Sequence, residues 1–587
     1  MTKKQKLELT WLGKEVLPKV EPRILLEVPD ISFHASKKIG EHDIFNNVLI
    51  HGDNLLALKA LENDFSGKVK CIYIDPPFNT GAAFEHYDDG VEHSTWLNLM
   101  HKRFLIFRNL LREDGVIFVH LDDIESAYAK VVMDEVFGRA NYLNTINTTT
   151  NAASGFKATS STIFSTANQI IAFAKNKNLF SFKRVYFEKA YDKAYSKYLF
   201  NRNEHYSNWK WTNLSDVFCE KNDFANAAAA KKELGEGFDS ELAQFAIENA
   251  SSVFRTAAIG GGAAIKRKET IQKSKIERGV VHVHPNEDVD NFYILNGEQF
   301  VFYDARLVEI DGIKVPGEII TDIWTDIPYT GIANEGAVEF KNGKKPEALL
   351  KRIFEMSTIE GDIVLDSFGG SGTTGAVAHK MGRRWIMVEL GDHCLSHIIP
   401  RLQRIISGED TSGVTSSVNW KGGGGFRYYK LAPSLLAKDK WDNWVINKDY
   451  DANMLAAAVC KHEGFTYSPS DADWWAHGYS TETDFIYVTT QTLTEDQLLA
   501  LSEDVGSDRT LLVCCAAYKA SASVLSDKLT NLTLKKMPNA LLSKCEWGKD
   551  DYSLNISKLP VAEQDDEQEV APKKKASNKE ADLFCDE

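Results

Sequence analysis

Six short aliphatic runs, separated by stretches with helical spacing, constrain this chain more than any other feature: Val48–His51, Val69–Ile74, Gly115–Leu121, Gln169–Ala174, Asp362–Leu365 and Trp385–Val388. A strand that is apolar along its whole length must be covered on both faces, and helices are the usual cover. The pattern therefore predicts an open α/β sheet of parallel strands rather than a sandwich or a bundle. Between the second and third runs, Trp96, Met100, Arg103, Phe104, Phe107 and Leu111 recur at helical spacing, which predicts one packed helix. At 587 residues the chain is long enough for about three folded units. A net charge of −15 with 43% hydrophobic and 26% charged residues excludes disorder throughout, collagen and membrane classes. The acidic balance argues against a protein that coats nucleic acid, yet it leaves room for a local basic groove.

The strand–helix rhythm divides the chain. It runs through residues 41–175 after an N-terminal arm at 1–40, is lost over a polar, aromatic and locally basic stretch at 176–338, and resumes at 339–430. A small α/β unit is expected at 431–560, where Thr494-Glu495-Asp496-Gln497 fits a helix-capping box. Residues 561–587 combine acidic residues with Lys573-Lys574-Lys575 and almost nothing apolar, the composition of a disordered tail. The eight cysteines show no C-x-x-C pair or zinc spacing and read as reduced packing residues. No apolar run is long enough to span a bilayer and the start lacks a signal-peptide core, so the expected location is cytoplasmic.

Two motifs carry chemistry. The run Ile72-Tyr73-Ile74-Asp75-Pro76-Pro77-Phe78 ends an aliphatic strand in a carboxylate, two prolines and a ring. The prolines stiffen the turn and lack N–H groups, so a carboxylate and a carbonyl can accept both hydrogens of an exocyclic amino group while the ring stacks on a planar base. An ordinary strand-ending turn with a buried Phe is the competing reading. The second motif decides between them. Asp366-Ser367-Phe368-Gly369-Gly370-Ser371-Gly372-Thr373 places a glycine-rich turn between a strand and a helix, where backbone can pass close beneath a nucleotide-like ligand. Glu389 ends the next strand, near where a dinucleotide fold places an acid on ribose hydroxyls. Phosphate binding is the weaker reading, since the chain has no G-x-x-x-x-G-K-[ST].

Asp75-Pro76-Pro77-Phe78 and Phe368-Gly369-Gly370-Ser371-Gly372 resemble motifs IV and I of S-adenosyl-L-methionine-dependent DNA amino-methyltransferases. The catalytic motif precedes the cofactor loop, as in the permuted beta class. Leu49-Ile50-His51-Gly52-Asp53-Asn54, Asp114-Gly115-Val116-Ile117-Phe118 and Lys345-Pro346-Glu347 further resemble the modification (Mod) subunit of type III restriction systems. The resemblance implies a permuted Rossmann-like methyltransferase sheet with a catalytic half at 41–175, an inserted target-recognition domain at 176–338, a cofactor half at 339–430 and a small C-terminal α/β domain. It implies adenine-N6 methylation of double-stranded DNA, because the motif opens with Asp, and base flipping to reach the amino group. Asp75, Pro76, Pro77 and Phe78 would be catalytic. Asp53, Lys345, Asp366, Phe368, Gly369, Gly370, Ser371, Gly372, Thr373 and Glu389 would bind the cofactor, Lys345 by closing over its methionine end. Asp53 also reads as a helix N-cap. A homodimer and a separate ATP-dependent restriction (Res) subunit are the implied partners, and the chain itself has no Walker motif. A solitary adenine enzyme, a cytosine-N4 enzyme and a non-catalytic DNA-recognition scaffold are the alternatives.

For DNA contact, Arg202 and Lys210 lie among aromatic residues, and Lys266, Arg267 and Lys268 follow a glycine run. Phosphate and groove contact fit both stretches. An aromatic core and a solvated charged helix fit them as well.

Overall fold

The structure is a computed structural model and describes residues 8–40, 43–77, 93–150, 165–285, 291–310, 312–329, 331–340 and 343–553. Phe78 and the tail at 561–587 lie outside the described residues. An eleven-stranded sheet organises the chain. Its strands are β1 (Leu25–Glu27), β2 (Phe33–His34), β3 (Asn47–His51), β4 (Val69–Ile74), β5 (Leu111–Leu121), β6 (Tyr142–Thr149), β7 (Ala167–Ala174), β8 (Ile323–Trp324), β9 (Ile363–Asp366), β10 (Arg384–Glu389) and β11 (Gly425–Leu431). They run in the order β1-β11-β3-β10-β9-β4-β5-β7-β6-β8, with β2 also on β11.

From β11 to β5 all neighbours are parallel. Alternate side chains of each strand enter different cores, as full burial on both faces requires. Ile72 and Ile74 pack with Leu58, Leu61, Trp96 and Phe104 on one face. Cys71 and Tyr73 pack with Leu349, Ile353, Val377 and Leu402 on the other. The first face is covered by α1 (Asn54–Phe65) and α2 (His93–Leu110), the second by α4 (Glu347–Ser357), α5 (Thr373–Lys380) and α6 (Ile399–Ile406), with α3 (Ser126–Met133) beside α2.

The sheet departs from the sequence reading, or adds to it, at four places. The run at Gln169–Ala174 is not parallel: β7 is antiparallel to both β5 and β6, and a strand in that setting can be as apolar as a parallel one when both its faces are covered. β6 is a strand despite the polar Asn144-Thr145-Ile146-Asn147-Thr148-Thr149, because Thr and Ile suit a pleated surface. The segment drawn as an N-terminal arm supplies β1 and β2, and the last part of the inserted stretch returns as β8 beside β6.

Within the insert, a six-stranded antiparallel sheet and a three-stranded sheet accompany five α-helices among the described residues, Leu214–Lys221, Ala227–Leu234, Phe238–Glu248, Gly261–Lys266 and Lys268–Ile276. Beyond β11, a five-stranded sheet contains parallel strands Asp484–Val488, Thr510–Cys515 and Leu532–Lys536, and the Thr494–Gln497 capping box forms as read.

Candidate functional site

The two motifs, remote in sequence, leave adjacent strands at the same edge of the sheet. β9 pairs in parallel with β4, Val364 opposite Cys71 and Leu365 opposite Ile72, so the strands end side by side at Asp366 and Asp75. β10 lies on the other side of β9 and ends at Glu389. Carboxyl ends of such strands are where open α/β sheets place ligands. The charges of Asp75 and Glu389 both act on Asp366, which they push in the same direction as its burial.

The two oxygens of Asp75 have different surroundings. Oδ2 pairs with the Lys345 ammonium, whereas Oδ1 is buried with no hydrogen-bond partner among the described residues. Burial pushes the Asp75 pKa up and Lys345 opposes it. Pro76 is buried and Pro77 half-buried. Trp96 of α2 donates its indole N–H to the Pro77 carbonyl at 2.7 Å. Beneath the corner, the Tyr73 hydroxyl and His120 Nδ1 are 2.8 Å apart, and His120 Nε2 lies 3.1 Å from Asn168 Nδ2. Burial holds His120 well below its ordinary pKa, so this hydrogen-bonded chain is uncharged.

The glycine turn is laced to its own strand ends. Asp366 Oδ1 accepts from Phe368 N at 2.9 Å and Oδ2 from the Thr374 hydroxyl at 2.6 Å. Burial nevertheless pushes the Asp366 carboxyl up to about 8. Glu389 accepts from Gly370 N at 2.7 Å and from Gly391 N at 2.8 Å, and His393 lies 3.1 Å away. Burial acts to raise the Glu389 pKa, but the hydrogen bonds and His393 outweigh it and leave it lowered. Gly370 and Gly372 take positive φ, +51° and +77°, which glycine adopts without strain. Gly369 donates to Val388 O at 2.9 Å, and a Cβ there would stand 3.2 Å from that oxygen.

Phe368, Ser371 and Thr373 are buried. They rest on a charged network that the sequence motifs do not reveal. Arg401 of α6 donates to Ser371 O at 3.0 Å, to the Thr373 hydroxyl at 2.9 Å and to Glu347 at 2.8 Å. Glu347 in turn meets Lys380 at 2.7 Å, and Lys380 meets Asp410 at 2.7 Å. Asn54 and Arg103 were also missed. Asn54 donates to Ser367 O at 2.8 Å and accepts from Arg103 at 2.6 Å, so it ties α1 to the glycine turn and to α2. An asparagine just after a capping aspartate, facing a Gly-rich strand end, was the available signal.

Asp53 takes the capping arrangement: Oδ1 accepts from Leu55 N and Leu56 N at 2.8 and 3.1 Å, and Oδ2 from Tyr552 N at 2.8 Å. Lys345 pairs with Asp75. The cationic residues of the insert divide. Arg202 bonds Ser251 O and Asp304 and lies 3.7 Å over the Phe302 ring, and Arg267 lies 3.7 Å over Phe292. Lys210, Lys266 and Lys268 are exposed. Trp209 and Trp211, which flank Lys210, pack with Phe254, Phe300 and Phe302 as an aromatic core. Among the described residues no cluster of His, Cys, Asp and Glu could hold a metal ion, and no helix is long and apolar enough to cross a membrane.

A sequence model for the N6/N4 DNA methylases matches residues 69–399, which contain both motifs and the insert. The chain belongs to that DNA methylase family. It is 37% identical over 414 residues to the HindVI Mod subunit of a type III restriction–modification enzyme of Haemophilus influenzae, an alignment covering 66% of this chain and 54% of that one. The chain thus spans about half the length of that relative. It is 25% identical over 609 residues to the EcoP15I Mod subunit of Escherichia coli, covering 86% and 85% of the two chains. Among solved structures, a DNA modification methylase of Thermus thermophilus in complex with S-adenosyl-L-methionine aligns at 14% identity and a TM-score of 0.29, covering 65% of this chain and 99% of that one. At that level the fold is read from the strand order itself.

Proposed function

We propose that the protein transfers a methyl group from S-adenosyl-L-methionine to the N6 amino group of an adenine turned out of double-stranded DNA, as the modification subunit of a type III restriction–modification system. The observation that carries this reading is the pairing of β4 with β9, which sets the Asp75 corner beside the glycine turn. When bound, the cofactor supplies a methyl carbon activated by its sulfonium, and the carbon–sulfur bond electrons leave with sulfur. The donor set fits such a group: a turn of glycines at positive φ and carboxylates at two neighbouring strand ends, Asp366 and Glu389, the latter suited to ribose hydroxyls. Phe368, Gly369, Gly370, Ser371, Gly372 and Thr373 would line the cradle, with Asp53 acting behind it through its cap on α1.

On the chain's side, Asp75 Oδ1 and the Pro76 carbonyl accept the two amino hydrogens, which turns the nitrogen lone pair out of conjugation and toward the methyl carbon. Phe78 stacks on the flipped base, offsetting part of the few kcal/mol that unstacking costs. The proton that the methylated nitrogen sheds passes to Asp75 and on to water. Positioning at about 3–3.5 Å supplies most of the acceleration. No cysteine is needed, and Cys71 is a core thiol whose pKa burial pushes up to about 12.

The insert at 176–338 would read the sequence, with Lys210, Lys266 and Lys268 on phosphates and Arg202 and Arg267 shaping the surface. The chain would work in the cytoplasm as a homodimer with a separate restriction subunit. Asp75→Ala is expected to abolish transfer of radiolabelled methyl to unmethylated genomic DNA while cofactor binding stays within about threefold, as for loss of a transition-state contact alone. Undiminished transfer by that variant would overturn the assignment.

A further inference from the structure

Lys345 was expected at the cofactor, and the structure sets it against the catalytic acid. Pro346 alone separates it from α4, and its ammonium reaches the Gly343 carbonyl at 3.3 Å as well as Asp75 Oδ2. Both side chains are largely buried, with 9% and 18% of their surface exposed, so water does little to screen the pair. Oδ1 of the same carboxylate is buried and has no partner among the described residues. An unpaired buried acceptor is costly unless something donates to it.

Resting on the function proposed above, we propose that Lys345 is a positioning residue for Asp75: it holds Oδ2, keeps the carboxylate ionised and aimed, and leaves Oδ1 to accept the amino hydrogen. The division matters because a protonated acid would have lost an acceptor at the place where the nitrogen must be turned.

The other groups around the corner do not supply this charge. His120 is held neutral by burial, the Tyr73 and Tyr329 phenols are pushed up and stay neutral, and Asp366 on the adjacent strand adds negative charge when it ionises. Burial alone drives Asp75 upward, and Lys345 is the cation that opposes it. Removing Lys345 should therefore raise the pH at which Asp75 becomes an acceptor.

The test is the pH profile of single-turnover methyl transfer to unmethylated genomic DNA, measured for the native protein, Lys345→Met and Lys345→Arg, with cofactor affinity measured alongside by calorimetry. The expected result is an acidic limb displaced upward by about one pH unit or more in Lys345→Met, restored by Lys345→Arg, with cofactor affinity changed less than about threefold. An unmoved limb, or a loss carried mainly by weaker cofactor binding, would overturn the proposal and return Lys345 to the cofactor. A native protein that methylates nothing would overturn the function instead, and the pair is then judged by urea unfolding. In a double-mutant cycle of Asp75→Asn and Lys345→Met, coupling present at pH 8 and fading toward acid supports the pair. Additive effects at every pH overturn it.

Discussion

Trp96 and Pro77 are joined by a 2.7 Å hydrogen bond from the indole N–H to the carbonyl that follows the Asp-Pro corner. Trp96 is fully buried on α2, so the corner is fixed from the helix layer as well as by its own prolines. Trp96→Phe keeps most of the packing but removes the donor. Unfolding free energy should fall by about 0.5–1.5 kcal/mol, the net worth of one hydrogen bond to a half-buried carbonyl. Methyl transfer should fall more than cofactor affinity. Equal losses in both would mean that the bond serves the fold and not the corner.

Gly372 sits at φ +77°, and a Cβ there would stand 3.1 Å from Ile398. Gly372→Ala should cost about 1–3 kcal/mol in backbone strain alone. Because the strain falls in the cradle, cofactor affinity should drop about tenfold or more, as 1.4 kcal/mol implies. Calorimetric titration with S-adenosyl-L-methionine reads this directly, and native affinity in the variant would remove the turn from the cofactor site.

Asp366 makes stability depend on pH in the direction opposite to a carboxylate whose folded pKa is lowered. Its folded pKa, about 8, stands above the ordinary 3.8, chiefly through burial. Between those values the folded chain keeps a proton that the unfolded chain has released. Its contribution is thus complete below about pH 4 and is lost as pH rises through 8. The native protein should lose stability relative to Asp366→Asn as urea midpoints are compared from pH 5 to pH 8. Parallel curves would contradict the protonated state.

Lys380 joins Glu347 and Asp410 with no exposed side-chain surface. Lys380→Met leaves Asp410 without this partner and Glu347 with Arg401 as its remaining ion-pair partner among the described residues, and breaking a buried pair from one side costs about 3–5 kcal/mol. Thermal unfolding should report a large drop in midpoint. A loss under 1 kcal/mol would show that Arg401 alone sustains Glu347.

What could be read from the sequence follows how locally each feature is determined. Val69–Ile74 is apolar apart from Lys70 and is bounded by Gly67 and Pro76, so its limits were legible from single residues. The Asp75 corner and the glycine turn were equally legible, because prolines and glycines dictate backbone wherever they stand. β6 escaped because Asn and Thr suit a loop as well as a strand, and only its neighbour β7 makes it one. The Arg401–Glu347–Lys380–Asp410 network escaped for a related reason: each residue alone resembles a solvated charge, and burial is a property of the assembled layers. Lys345 was legible as important but not in its partner, since the pairing with Asp75 spans the whole insert.

The bond ladder between β4 and β9 closes a very long excursion of the polypeptide. Within that excursion β5, β6, β7 and β8 belong to the eleven-stranded sheet, whereas residues 176–319 give it no described strand. Residues 176–319 could therefore be exchanged for another fold while the pairing of β4 with β9 still held Asp75 beside the glycine turn.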